Sequence, residues 1–586
     1  MLEEESLHFR ISYTFSPIRS MAQNVRKGFI AVLATIIFLA SFYHSLLAPK
    51  PPFSAADLRA PPIPRFPRTD ANSVIQEQEQ PKHEPVSRQI ISRHVTSVID
   101  SINTVSILLP AWEVLVIISP KNRFLSDSVP TGFTCLFPSN ASSPGKFAGF
   151  LSSPRRSAFK CDFPGRLRRR LPFPQPVLSR SPDYPPEIPF PAPELIRWNY
   201  LVYESFSTET DVVLFVKGIN HRQGVNRAPS EFRCVFGDDD GINAVKTAVT
   251  TSLQEVFRCP NPPLVTSAFL SNGRIKISLE ILQQKRIVPS VAYYTSSRKI
   301  ALQQTKSLIC ACTMVYNVAK FLKEWVVYYS AIGVEKFILY NNGSDDQLDR
   351  IVEELVSEGY NVSTLFWLWP KTQEAGFSHC AISAKDSCEW MIYMDVDEFV
   401  YSPSWLNSST PSTQMLNDLL PESSLFGQIL ISCYEFGPSN QNSHPELGVT
   451  QGYNCRRRSE NRHKSIVLLE AIDESLLNTV HHFQLKQGYI GKRLGVKEAV
   501  VNHYKFQAWS EFKTKFRRRV SAYVVDWTVE LNLASKDRTP GLGSAPVEPP
   551  AWAEMFCEVY DEQLKELTRR WFGSESPSGY GMAWQR

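Results

Sequence analysis

Three observations predict an α/β fold, a doubly wound parallel sheet that follows an all-β, sandwich-like region and one N-terminal transmembrane helix. From Lys306 onward, strand-like apolar runs alternate with amphipathic segments. Upstream, from about residue 97 to 300, short apolar runs are separated by turn residues. Near the start, Gly28 to Leu47 reads GFIAVLATIIFLASFYHSLL, about 20 residues without a formal charge. The chain has 586 residues, 43% hydrophobic and 12% aromatic, the composition of a packed globular protein. A formal charge of +5 and short basic clusters, Arg168 to Arg170 and Arg517 to Arg519, exclude nucleic acid as an expected partner.

At 1.5 Å per residue the segment 28–47 matches a hydrocarbon core of roughly 30 Å. It is longer than the apolar core of a cleaved signal peptide and reads as an uncleaved signal anchor. Arg19, Arg26 and Lys27 before it, against Lys50 and Arg59 after it, favour a cytosolic tail over residues 1–27. Everything beyond is then lumenal, the arrangement of a single-pass type II protein of the Golgi membrane. Residues 48–96 are rich in Pro, Gln and charge and form a stem. Eleven cysteines in a lumenal chain suggest several disulfides with at least one thiol left over. Sequons at Asn140, Asn342, Asn361 and Asn407 agree with a secretory glycoprotein.

Residues 97–303 form the β-rich region. Its strands are expected in SILLPAWEVLVIIS, DVVLFVKGI, SEFRCVFG and RIKISLEIL, with a long loop from Pro164 to Pro193. Over 304–586 the alternation begins with the strand SLICACTMVY. A helix follows in AKFLKEWVVYYSAIG, with Phe321, Trp325 and Tyr328 or Tyr329 on one face. KFILYNN is the second strand. QLDRIVEELVSEG places Leu348, Ile351, Val352, Leu355 and Val356 on one helical stripe. STLFWLW is the third strand, EAGFSHCAISAKDSC a helix, and WMIYMDVDEFVY one buried strand.

That last run holds Asp395, Asp397 and Glu398. Burying unpaired carboxylates costs several kcal/mol each, on the order of what any buried charge demands, so a cation is expected beside them. Asp395 and Asp397 are two residues apart, which in an extended chain sends both to one face at the carboxyl end of a strand, where such sheets bind ligands. Hard oxygen ligands suit Mg²⁺ or Mn²⁺, and an ion held there would neutralise a diphosphate leaving group. Of the other acids, Glu324 reads as a charge on a helix face. The segment from Tyr340 to Asp346, YNNGSDD, reads as a turn that caps the next helix and as a loop facing a nucleotide.

The successive segments CTMVYNVAKFLKEWVVYYSAIGVEKFILYNNGSDD, KDSCEWMIYMDVDEFV, HKSIVLLEAI, TVHHFQL and VVNHYK resemble the catalytic domain of glycosyltransferase family 92 over about residues 306–575. FGPS at Phe436 to Ser439 and SKDRTPGLG at Ser535 to Gly543 resemble its plant members, which include galactan β-1,4-galactosyltransferases. The resemblance implies a GT-A (Rossmann-like) catalytic domain, inversion at the sugar carbon, UDP-galactose as donor and Mn²⁺ (or Mg²⁺) as cofactor. It assigns Asp395 and Asp397 to the metal and diphosphate, and His503 as a further metal ligand, with His481 and His482 as competitors. Asn317, Asn342, Asp345, Asp386 and Lys464 are the expected nucleotide-sugar contacts. Inversion needs a general base, for which Glu435 and Asp526 are the alternatives, Glu435 being expected where an acceptor approaches.

The leading reading is therefore a hexosyltransferase acting on a cell-wall polysaccharide or a glycoprotein glycan. Its rival is a catalytically silent lumenal protein that only binds glycan.

Overall fold

The computed structural model describes most of residues 102–586, leaving out 120–131, 181–188, 221–225, 238–243, 264–273, 296–304, 515–547 and the single positions 153, 170, 190, 480 and 578. The expected tail, membrane anchor and stem, Asp526, the arginine run from Arg517 and the SKDRTPGLG segment lie outside the described residues. Among the described residues no helix is long and apolar enough to cross a membrane.

The β-rich region holds three sheets rather than a single sandwich. A seven-stranded sheet runs in the order Val177–Ser179, Phe133–Phe137, Ala141–Ser152, Arg155–Asp162, Glu113–Ile118, Thr104–Leu108, Ile196–Arg197. Val177–Ser179 pairs with Phe133–Phe137, so the stretch expected as a long loop contributes a strand. A four-stranded and a five-stranded sheet then enclose a core that includes Val212, Leu214, Val216, Cys234, Phe236 and Leu279.

Two of these strands explain why their sequences read as unbroken apolar runs. In Asp211–Lys217, Val212, Leu214 and Val216 face the sandwich core, while Val213 and Phe215 turn to a second core shared with Trp367 and Trp369. In Glu113–Ile118, Val114, Val116 and Ile118 face one core, and Leu115 and Ile117 join the same shared one. A strand covered on both faces needs apolar residues at every position. Residues 96–586 accordingly form one compact unit.

The second half of the chain begins with β1 (Ser307–Val315), α1 (Ala319–Ile332), β2 (Lys336–Asn341), α2 (Leu348–Ser357), β3 (Val362–Phe366), α3 (Gln373–Ala384) and β4 (Cys388–Tyr393). It continues through β5 (Glu398–Tyr401), β6 (Phe426–Glu435), α4 (Val449–Gly452), β7 (His463–Leu468), β8 (Ile490–Arg493), β9 (Val500–His503) and α5 (Gln563–Phe572). The strands lie in the order β3-β2-β1-β4-β7-β6-β9-β5, with β8 beside β6. The first four are parallel, as the alternation predicts, and β7 enters antiparallel to β4. The run from Trp390 to Tyr401 is two strands, not one. It breaks after Tyr393, and β5 leaves for the far edge of the sheet against β9. On α2, Leu348 and Leu355 are buried, but Val356 is 51% exposed and leaves the expected stripe.

Five disulfides and one buried free thiol, Cys433, account for the eleven cysteines. Two of the disulfides, Cys310–Cys388 and Cys312–Cys380, tie β1 to β4 and to α3.

Candidate functional site

The acids lie where β4 stops. Asp395 O accepts from Glu398 N at 3.0 Å, and Glu398 Oε2 accepts from Asp395 N at 2.9 Å, closing a turn over 395–398. The two acids thus lie on a turn rather than in an extended strand, so the alternation that predicted a shared face does not apply to them. Asp397 is directed to His503, with Oδ2 3.7 Å from Nε2. Asp395 has other partners, its Oδ2 3.3 Å from Lys464 Nζ and its Oδ1 3.4 Å from Gln373 Nε2.

Register brings the next ligand in. Glu398 stands opposite His503 in the antiparallel β5–β9 pair, with Oε1 3.5 Å from Nε2. Asp397, Glu398 and His503 each offer a ligand atom within 4.8 Å of the others. Two carboxylate oxygens and an imidazole nitrogen are a donor set that Mn²⁺ accepts. Asp395 lies outside this group, and neither His481 nor His482 joins it. Helix α1 supports the arrangement from below: Tyr329 Oη donates to Glu398 O at 3.0 Å and accepts from Val400 N at 3.0 Å.

The electrostatics at this cluster favour a bound cation. Burial pushes the Glu398 carboxyl up to about 8, opposed by Lys464 and reinforced by the neighbouring charges of Asp395 and Asp397. Lys464, 6% exposed, sits 2.6 Å from Glu398 Oε1. Burial works against its charge, but Asp395 and Glu398 outweigh that and hold its pKa above the usual lysine range. His481 Nε2 lies 2.6 Å from the same Nζ, and burial together with Lys464 keeps that imidazole neutral, well below its ordinary pKa. His482 pairs instead with His463, and its pKa is pushed down to about 4 by burial and by His463.

The loops after β1 and β2 interlock. Asn317 adopts φ +51, a left-handed conformation that Asn tolerates. Its amide oxygen accepts from Asp345 N at 2.9 Å, and its Nδ2 reaches the Asp345 carboxylate. Asp346 accepts from Ala319 N at 2.9 Å and from Leu348 N at 3.2 Å, so one carboxylate caps the starts of both α1 and α2. Asn342 Nδ2 donates to Trp367 O at 2.6 Å and to Trp369 O at 3.3 Å. The capping reading of YNNGSDD is thus realised in detail.

Three expectations need correction. Asp386 precedes β4, at the amino end of that strand, while Asp395 and Asp397 follow its carboxyl end. Six residues of strand separate the two ends by roughly 20 Å. Asp386 therefore lies at the opposite, amino end of the strands, too far to touch a ligand at the acids. Glu435 ends β6 and is 1% exposed, with Lys505 on Oε1 and Arg457 3.5 Å from Oε2. Its carboxylate is thus buried and held by two cations rather than open to a cleft. Glu324 is no surface charge: it is 2% exposed, and its carboxylate accepts from Val449 N at 2.7 Å, Thr450 N at 2.9 Å and Thr450 Oγ1 at 2.6 Å. A cleft of about 550 Å³ lined by Asn442, Trp509, Ser510, Lys513, Thr514 and Glu548 takes in none of the expected site residues.

The sequence pattern of glycosyltransferase family 92 matches residues 305–535. A family 92 protein of Arabidopsis thaliana is 42% identical over 403 residues, covering 67% of this chain and 69% of its own. The chain belongs to glycosyltransferase family 92. A Ricinus communis member of family 92 is 41% identical over 407 residues, covering 67% of this chain and 70% of its own. Among solved structures, a mannosyltransferase of Pyrobaculum calidifontis in complex with GDP-Man and Mn²⁺ is similar at 10% identity and a TM-score of 0.24, covering 39% of this chain and 66% of that one.

Sequence reasoning missed three side chains of this family 92 site. Glu398 was visible as an acid in the apolar run, but its role depends on facing His503 across β5–β9, a long-range pairing. Gln373 and Tyr329 reach the acids from α3 and α1. Neither residue type marks a site by itself.

Proposed function

We propose that the chain is an inverting GT-A hexosyltransferase that moves galactose from UDP-galactose to a cell-wall polysaccharide or a glycoprotein glycan. In this reading it is held in the Golgi membrane by the helix at 28–47, with the catalytic part lumenal. The observation that carries the reading is the cluster of Asp397, Glu398 and His503 at the carboxyl end of the central strand, with buried Lys464 beside it.

Those three side chains would hold Mn²⁺ or Mg²⁺. The bound ion supplies charge neutralisation for the diphosphate as it departs. Lys464 adds a fixed positive charge on the same side, and Asp395, held between Lys464 and Gln373, faces the donor. Asn317, Asn342 and Asp345, at the ends of β1 and β2, lie on the edge where the nucleoside would rest. A proton acceptor for the incoming hydroxyl is still required, and Glu435 and Asp526 stay the alternatives. Glu435 would serve only after release from Lys505 and Arg457.

The test is a panel of UDP-sugars offered to the purified full-length chain with Mn²⁺, with Mg²⁺ and with chelator. UDP-galactose is expected to be hydrolysed slowly without acceptor and only with metal. Turnover of another UDP-sugar in its place would replace the donor, and glycan retention without any turnover would favour the silent binding protein.

A further inference from the structure

The segment Trp367–Gln373, WLWPKTQ, joins β3 to α3 and has two faces. One is embedded in the β-rich region. Trp369 stacks on Trp198 with ring centroids 5.7 Å apart and planes 5° from parallel, and its Nε1 lies 3.4 Å from Glu204 Oε2. Lys371 O accepts from Lys217 Nζ at 3.1 Å. Both tryptophans are fully buried.

The other face meets the donor end of the sheet. Asn342, in the loop after β2, is bound to the carbonyls of Trp367 and Trp369, and Gln373 Nε2 contacts Asp395 Oδ1. Between the two faces the segment is closed on itself. Trp367 Nε1 donates to Thr372 Oγ1 at 2.9 Å, and Thr372 Oγ1 donates to Trp369 O at 2.6 Å. A short segment cross-linked in this way moves as one piece, so whatever fixes Trp369 also fixes Gln373.

We propose that the β-rich region is a structural part of the donor site, with Trp198 and Gln373 as positioning residues. Trp198 seats Trp369, the segment transmits that placement, and the Gln373 amide turns Asp395 toward the metal and diphosphate. The other Asp395 oxygen faces Lys464 Nζ at 3.3 Å and His481 Nε2 at 3.9 Å, so Gln373 is what holds Oδ1. The inference rests on the donor-site reading above and adds to it a dependence on residues that touch neither metal nor nucleotide.

Binding of UDP with Mn²⁺ to the full-length chain, followed by titration calorimetry alongside thermal unfolding, tests it. Gln373→Ala is expected to weaken binding roughly 10-fold, the scale on which groups behind metal ligands act, with its unfolding temperature unchanged. Trp198→Ala is expected to weaken binding in the same direction, and Trp198→Phe, which keeps a ring against Trp369, to restore it. Binding by wild type that Gln373→Ala leaves unaltered overturns the proposal, whatever Trp198→Ala does to stability. Absence of any binding by wild type overturns the donor-site reading itself.

Discussion

Glu324 and Glu398 are both buried carboxyls, at 2% and 0% exposure, yet they solve the cost of burial in different ways. Glu324 meets three donors, the amides of Val449 and Thr450 and the Thr450 hydroxyl, at the start of α4. Gly448 leaves room for it: with φ +104, a Cβ there would stand 2.5 Å from Glu324 Oε2. Glu398 has one cation, Lys464, and is flanked by two further acids and an imidazole. Burial raises both, to about 7 and about 8, but only around Glu398 do neighbouring carboxylates add to the shift. A buried acid surrounded by donors is a finished part of the fold. One surrounded by acids with a single lysine is a place that a divalent cation completes.

The contrast breaks hardest at Asp397. Asp397→Asn removes a ligand charge without changing shape, and metal-dependent turnover is expected to fall roughly 10³-fold, the several kcal/mol a divalent ion supplies to a leaving diphosphate. Turnover retained within a few-fold would place the metal elsewhere. Lys464→Met comes next. It leaves the buried Glu398 and the partly exposed Asp395 without their cation, at a cost of about 5 kcal/mol in unfolding free energy. Mn²⁺ is expected to return part of that loss in denaturant titrations, because a bound ion replaces the missing charge. No recovery on adding Mn²⁺ would mean that the acids hold no metal.

The same contrast shows what was legible in the sequence. The alternation from β1 to β4 could be read because strands covered on both faces and amphipathic helices leave local periodic marks, and the position of the acids after an apolar run followed from it. Their directions could not be read. A turn closed by Glu398 N on Asp395 O gives Asp395 and Asp397 different partners, and the pairing of Glu398 with His503 joins residues about a hundred positions distant. Glu324 was misread for a similar reason. Its place on α1 gives a helix-face pattern, while its partners arrive from α4, beyond β6, and no spacing within α1 announces them. Asp386 shows a different limit: the resemblance that put it among the donor contacts carries no distances, and a whole strand lies between it and Asp395.

At the capping end of the comparison the effects are smaller and metal has no part in them. Glu324→Ala strips the acceptors from two buried amides and should cost about 4 kcal/mol, with no recovery on adding Mn²⁺. The mildest probe is Glu324→Gln, which keeps the shape and abolishes the titration. An acid whose folded pKa is raised, here from 4.5 to about 7, contributes stability that is fully present below pH 4.5 and is lost as pH rises through 7. The difference in unfolding free energy between wild type and Glu324→Gln should therefore fall by on the order of 3 kcal/mol between pH 4.5 and 7.5. Other buried acids, such as Glu204, are shared by the two proteins and cancel in the difference. Urea titrations of both across that range give the slope directly. A difference that does not change with pH would mean that the three donors at α4 offset the burial of this carboxylate, and that Glu324 is ionised throughout.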